Sequence, residues 1–217
     1  DWTFTIPSTI SGIRGSCVVI PCSYTLKNSH RSDTNVKWYQ LSTSGYPLVY
    51  GYSTQNIIDK FKGKTSLYGS SNYKSCSLKI QPLEMEHNEE RLFPWMDPNS
   101  IETYSQKDVK DETISLEVTD IAEKPQAELL GIAIVGEPVT LSCSVIHTCP
   151  PSPPTLSLSI LHGALRFSNT PLHNGKWKAT LEVTWVVEEN DHSVTCTVSY
   201  AGGQTSKTET NINPSRE

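Results

Sequence analysis

Three observations predict an all-β fold of two tandem antiparallel sandwiches. Short runs rich in β-branched and aromatic residues recur along the 217 residues, each bounded by Gly, Pro, Ser or Asn. No segment carries a helical period beyond one or two turns. A cysteine-ending octapeptide at 15–22 returns in similar form at 136–143, and each copy is followed by another cysteine at nearly the same distance, Cys76 after Cys22 and Cys196 after Cys143. Two similar units in tandem account for that repeat better than one large domain.

The expected strands of the first half are 18–20, 36–39, 48–52 and 77–80, with 43–47 (Thr-Ser-Gly-Tyr-Pro) as a hairpin turn between the second and third. Residues 114–118, Ile-Ser-Leu-Glu-Val, alternate apolar and polar and close this half. Residues 122–126 read as a linker. A second series follows at 138–143, 155–160, 178–187 and 193–200. The expected domains are therefore 1–120 and 121–217.

Composition narrows the function. Hydrophobic residues make up 36% of the chain, enough for packed cores, and the formal net charge is −5 with no long run of one sign. Nucleic-acid binding, which needs a basic patch, is not expected. Six cysteines without a zinc-type Cys-x-x-Cys pair point to an oxidising compartment. No signal peptide, no apolar run of membrane-spanning length and no Asn-x-Ser/Thr sequon is present. The chain reads as an excised or processed part of a secreted or surface protein, on the extracellular side of the plasma membrane. The six histidines are dispersed, and the sequence has no His-Glu-x-x-His, Gly-x-Ser-x-Gly or P-loop pattern, so no enzyme is expected. No cofactor or metal is expected either. The acidic stretch Glu84, Glu86, Glu89 and Glu90 lacks the alternating oxygen ligands and glycine bend of a calcium loop and reads as a solvated turn.

The faces of the cysteines carry more than their number. Cys17 and Cys22 lie an odd number of positions apart, so on a strand their sulfurs point to opposite faces. One can enter the core and the other cannot. In the second half, residues 191–196 (Asp-His-Ser-Val-Thr-Cys) resemble the immunoglobulin strand-F signature Asp-x-Gly-x-Tyr-x-Cys, with Val194 in place of the tyrosine. A Cys143–Cys196 bridge would then join two sheets. In the first half Trp38 sits where the strand-C tryptophan belongs, yet residues 85–97, where strand F should fall, hold no cysteine. The partner left for Cys22 is Cys76, on a segment that reads as strand E, which makes the bridge intrasheet. Cys17, facing outward, is left to reach Cys149 in a proline-rich loop.

This arrangement resembles the two amino-terminal domains of the sialic-acid-binding immunoglobulin-like lectins, in which a V-type domain with a strand B–E disulfide is tied to a C2-type domain by an interdomain disulfide. Residues 7–11 (Pro-Ser-Thr-Ile-Ser), 15–22, 61–64 (Phe-Lys-Gly-Lys) and 75–78 (Ser-Cys-Ser-Leu) strengthen the likeness, which covers nearly the whole chain. The resemblance implies a membrane-anchored recognition receptor. It also implies an arginine on strand F of the V-type domain, whose two parallel donors match a sialate carboxylate as lysine cannot. An aromatic near the start of strand A would pack on the sugar.

Trp2 matches that aromatic position. The arginine does not match: on the candidate strand 90–97, Pro94 or Trp95 falls on its place, depending on a one-residue shift, and Arg91 comes earlier. Proline has no backbone donor for a central strand, so a bulge is expected there. The candidate ligand-binding residues are Trp2, Arg91, Trp95 and Tyr104. Two ligand classes follow. One is a sialylated glycoconjugate held by Trp2 and a displaced Arg91. The other is a cell-surface protein docked on exposed Pro94, Trp95, Met96 and neighbouring tyrosines.

Overall fold

The computed structural model describes residues 2–26, 36–51, 54–69, 75–96 and 112–216. The chain divides into two compact units, Asp1–Thr119 and Asp120–Glu217.

The first unit contains β1 (Trp2–Thr5), β2 (Thr9–Ile13), β3 (Val18–Ile20), β4 (Ser23–Leu26), β5 (Val36–Gln40), β6 (Leu48–Tyr50), β7 (Thr65–Leu67), β8 (Leu78–Ile80), β9 (Glu90–Met96) and β10 (Ile114–Thr119). One sheet has the order β2-β10-β9-β5-β6, a second β3-β8-β7, and β1 pairs with β4. The segment around Pro7, which lacks a ladder donor, separates β1 from β2. The chain can thus leave β4 and run parallel to β10, from Thr9↔Ser115 to Ile13↔Thr119. This is the one departure from antiparallel pairing among the described strands of the two sandwiches.

The core lies between the sheets and follows strand alternation. Val18 and Ile20 of β3, Leu78 and Ile80 of β8, Leu92 and Met96 of β9, and Ile114, Leu116 and Val118 of β10 surround Trp38. Trp38 is fully buried and donates its indole N–H to the Cys76 carbonyl at 3.0 Å. The β3–β8 register places Val18 opposite Ile80 and Ile20 opposite Leu78; continued, it sets Cys22 opposite Cys76. Their Cα atoms are 4.9 Å apart, the two are disulfide-bonded, and the Cys76 N–H donates to the Cys22 carbonyl. The intrasheet bridge is therefore present.

The second unit contains β11 (Gln126–Leu130), β12 (Pro138–His147), β13 (Thr155–Leu158), β14 (Ala164–Pro171), β15 (Trp177–Val186), β16 (Ser193–Ser199) and β17 (Thr205–Asn211). The sheets are β11-β12-β15-β14 and β13-β16-β17. The strand after β13 pairs with β15 along its whole length, so the seven strands divide four and three between the two sheets. Cys143 of β12 and Cys196 of β16 bridge the two sheets, Cα–Cα 6.4 Å. Where the strand-F tyrosine is missing, Asp191 fastens the turn: its Oδ2 accepts the Trp185 indole N–H at 2.9 Å and the Glu188 N–H at 2.8 Å. Val194 is buried beneath.

Cys17 and Cys149 are each disulfide-bonded, and no cysteine is free. Cys17 lies outside the core cluster that holds Cys22, as the opposite-face argument requires, yet it is fully buried rather than facing solvent.

Candidate functional site

The outer face of the β2-β10-β9-β5-β6 sheet is where the candidate residues of β9 meet the rest of the fold. Leu92 and Met96 point into the core, so Arg91, Phe93 and Trp95 point outward. The β5 register sets Tyr39 opposite Phe93 and Lys37 opposite Trp95. One step further, the Leu41 N–H donates to the Arg91 carbonyl at 2.8 Å.

An aromatic layer forms on this face. Tyr39 stacks on Phe93 with ring centroids 5.7 Å apart, and Tyr46 meets Tyr39 edge-on at 6.3 Å. Tyr39, Phe93 and Trp95 make a buried cluster separate from the sandwich core, with Leu41, Tyr46 and Leu48 packed against it. Tyr46 arrives through the expected hairpin turn, where Gly45 takes φ +78°.

Arg91 is exposed at the end of this layer, opposite Ser115 of β10. Among the described residues its guanidinium has no carboxylate within ion-pair distance. On the opposite side of the same strand, Glu90 accepts a hydrogen bond from Gln40 at 2.5 Å and pairs with Lys60. A backbone pinned by those contacts presents Arg91 outward on a rigid element.

Trp95 shares the face of Arg91 but is only 6% exposed. Met96 lies fully in the core and Pro94 is buried. The expected exposed Pro94-Trp95-Met96 anchor is thus corrected: alternation sends Pro94 and Met96 inward, and the aromatic layer covers Trp95. Of the two residues that fall on the expected arginine position, Trp95 and not Pro94 projects from the outer face. At about 3.4 Å per residue, Arg91 is displaced from Trp95 by roughly 14 Å along the strand.

The expected bulge at Pro94 is also corrected. The β5–β9 register runs unbroken from Val36↔Met96 to Gln40↔Leu92. Arg91 bonds towards β5, so the odd residues of β9 do so, and the missing donor of Pro94 faces the other edge. There the described pairing with β10 ends at Leu92↔Ile114. A register shift does occur nearby, between β5 and β6 at Trp38/Tyr39.

Trp2 opens β1, with its backbone paired to Leu26 of β4. Its strand and that of Arg91 belong to different sheets. Tyr104 lies outside the described residues. The residues that sequence reasoning missed are Tyr39, Tyr46 and Phe93; the signal that reveals two of them is the period-two pattern that Leu92 and Trp38 impose on their strands.

The ligand atoms of Glu84, Glu86 and His87 lie within 4.8 Å of one another. Those atoms are already engaged. The Lys64 ammonium sits 2.6 Å from Glu84, and its hydrogen bond holds the Glu84 carboxyl below the usual value. The buried His87 ring stacks on Phe61 at 4.7 Å, accepts the Glu84 N–H at Nδ1 and donates from Nε2 to the Lys60 carbonyl at 2.5 Å. The cluster ties the turn before β9 to Lys60, Phe61 and Lys64, which precede β7.

Comparison with known proteins agrees with this architecture. The immunoglobulin V-set domain model matches residues 5–89. Myelin-associated glycoprotein of Mus musculus is 29% identical over 160 residues, covering 72% of this chain and 24% of that protein. Sialic acid-binding Ig-like lectin 5 of Homo sapiens is 29% identical over 198 residues, 88% of this chain and 34% of that one. Sialic acid-binding Ig-like lectin 9 of Homo sapiens is 24% identical over 217 residues, 95% of this chain and 44% of that one. The chain thus spans less than half the length of each of these relatives. A V-set first half, a second sandwich of immunoglobulin topology and relatives that extend across both support a Siglec-like immunoglobulin family for the chain.

Proposed function

We propose that the chain is the recognition part of a Siglec-type adhesion receptor, held at the extracellular side of the plasma membrane by parts of the protein beyond this sequence. Its ligand is a sialylated glycoconjugate, bound on the outer face of the first sandwich. The observation that carries this reading is Arg91: an exposed guanidinium without a carboxylate partner among the described residues, on the face and strand where the family resemblance calls for one. The relatives named for sialic acid binding support the ligand class. Nothing in the charge distribution favours nucleic acid, and no catalytic motif favours an enzyme. Displaying the chain in multivalent form on beads and measuring capture of cells before and after sialidase treatment tests the proposal. Capture is expected to fall sharply after treatment; unchanged capture removes the glycan reading.

A second reading keeps the face and changes the ligand to a cell-surface protein. It is favoured by the family's arginine position falling on Pro94 or Trp95, the latter inside a packed aromatic layer. In that case the contact surface is the exposed rim around Arg91 and Ser115 rather than the buried indole.

A further inference from the structure

The open edge of the second sandwich has an unusual combination of free backbone groups and exposed apolar side chains. Among the described strands, β14 is the last of its sheet and pairs on one side only, with β15. Its register sets Leu165 opposite Val183 and Phe167 opposite Leu181, both core residues. Leu165 and Phe167 therefore share the inner, core-side face of the sheet. They are nevertheless 62% and 49% exposed. The facing sheet has three strands against four, which accounts for its failure to cover this edge.

The hydrogen-bond phase of β14 follows from its neighbours. The Leu172 N–H donates to Lys176, and the Val187 N–H donates to Glu137 on the far side of β15. Alternation from either contact gives one answer: even residues of β14 bond to β15, and the odd ones, Leu165, Phe167 and Asn169, turn their N–H and C=O groups to the open edge. No backbone hydrogen bond is recorded for these groups among the described residues. Pro171, without an N–H, ends the usable edge.

We infer that β14 pairs antiparallel with β14 of a second copy of this chain about a twofold axis through Phe167. An edge strand of identical copies is self-complementary only in certain registers. With Phe167 on the axis, Leu165 lies opposite Asn169 of the copy, and every free N–H and C=O of the three edge residues finds a partner. Centring on Arg166 or on Ser168 leaves one of those residues unpaired. The Phe167 register also sets Arg166 against Ser168 of the copy, whereas centring on Arg166 would oppose two like charges. The two phenylalanine rings then cover one another on the uncovered inner face. The contact is small and self-association accordingly weak.

Sedimentation across a wide concentration range, up to the solubility limit, tests the inference on the whole chain. A reversible dimer is expected, with a dissociation constant at least tenfold higher in Phe167→Lys. Thermal unfolding of that variant checks that it stays folded. Phe167→Cys provides a second readout: an opposed hydrogen-bonded pair has Cα atoms about 5.5 Å apart, within the roughly 4.4–6.8 Å span of a disulfide. It is expected to form a covalent dimer faster than Ile146→Cys, an exposed position on β12 away from the edge. A chain that stays monomeric, a dimer indifferent to Phe167→Lys, or equal crosslinking of the two cysteine variants would overturn the pairing and leave the edge to a strand from another protein.

Discussion

The indole N–H of Trp38 and the carbonyl of Cys76 meet at 3.0 Å across the interior of the first sandwich, thirty-eight residues apart in sequence. Trp38 belongs to one sheet and Cys76 flanks a strand of the other. Since the Cys22–Cys76 bridge stays within its own sheet, this hydrogen bond is a polar tie between the sheets where a cross-sheet disulfide would ordinarily stand. Trp38→Phe removes the donor and leaves a buried carbonyl unpaired, at a cost of about 1–3 kcal/mol. Urea unfolding of both proteins measures the difference; an unchanged midpoint would show that the tie contributes nothing.

Replacing both Cys22 and Cys76 by Ala opens a loop with a sequence separation of 54. The chain-entropy model puts that loss at about 4 kcal/mol. Chemical denaturation is expected to show the first sandwich unfolding at markedly lower denaturant while the second keeps its transition. Peptide mapping without reduction is expected to return Cys22–Cys76, Cys143–Cys196 and Cys17–Cys149. A peptide joining Cys17 to Cys22 or Cys76 would break the pairing scheme.

The second sandwich carries a pH-sensitive contact. His147 accepts the Cys149 N–H at Nδ1 and donates from Nε2 to the Asn169 side chain at 2.8 Å. Burial holds its pKa below the ordinary value, and the Asn169 hydrogen bond pulls the other way with smaller effect. The folded state thus binds this proton less readily than the unfolded one. The contribution is fully present above the unfolded value near pH 6.5 and is lost as pH falls through the lower folded value. Thermal unfolding between neutral pH and about pH 5, above the carboxylate range, is expected to show a decline that His147→Gln flattens. Parallel curves for the two proteins would refute the assignment.

Much of this fold was legible in the residues. The strand at 18–20 was readable because β-branched residues are flanked by a turn and a proline, and the strand at 114–119 because one of its faces is buried and the other wet. Cys22 and Cys76 could be paired because a missing strand-F cysteine left no other core partner. Strands β14 and β17 were not legible. Both are edges with mostly exposed side chains, so burial imposes only a weak pattern on them. The site was half legible. Arg91 and Trp95 could be named, but whether Trp95 was exposed depended on Tyr39 of β5 and Tyr46 of the β5–β6 turn, which pack in the same layer and whose contribution no local pattern encodes.

The central claim, that Arg91 is the cation that meets a sialate carboxylate, is tested most directly by titrating sialyllactose into the wild-type chain, Arg91→Ala and Arg91→Lys. A charge-assisted hydrogen bond contributes about 1.5–3 kcal/mol, so both variants are expected to bind tenfold or more weakly, Lys failing because a point charge cannot reproduce the planar fork. Trp95→Ala serves as a control for disturbance of the aromatic layer. Sialyllactose binding that survives Arg91→Ala, or wild-type binding to cells that ignores sialidase, would contradict the account.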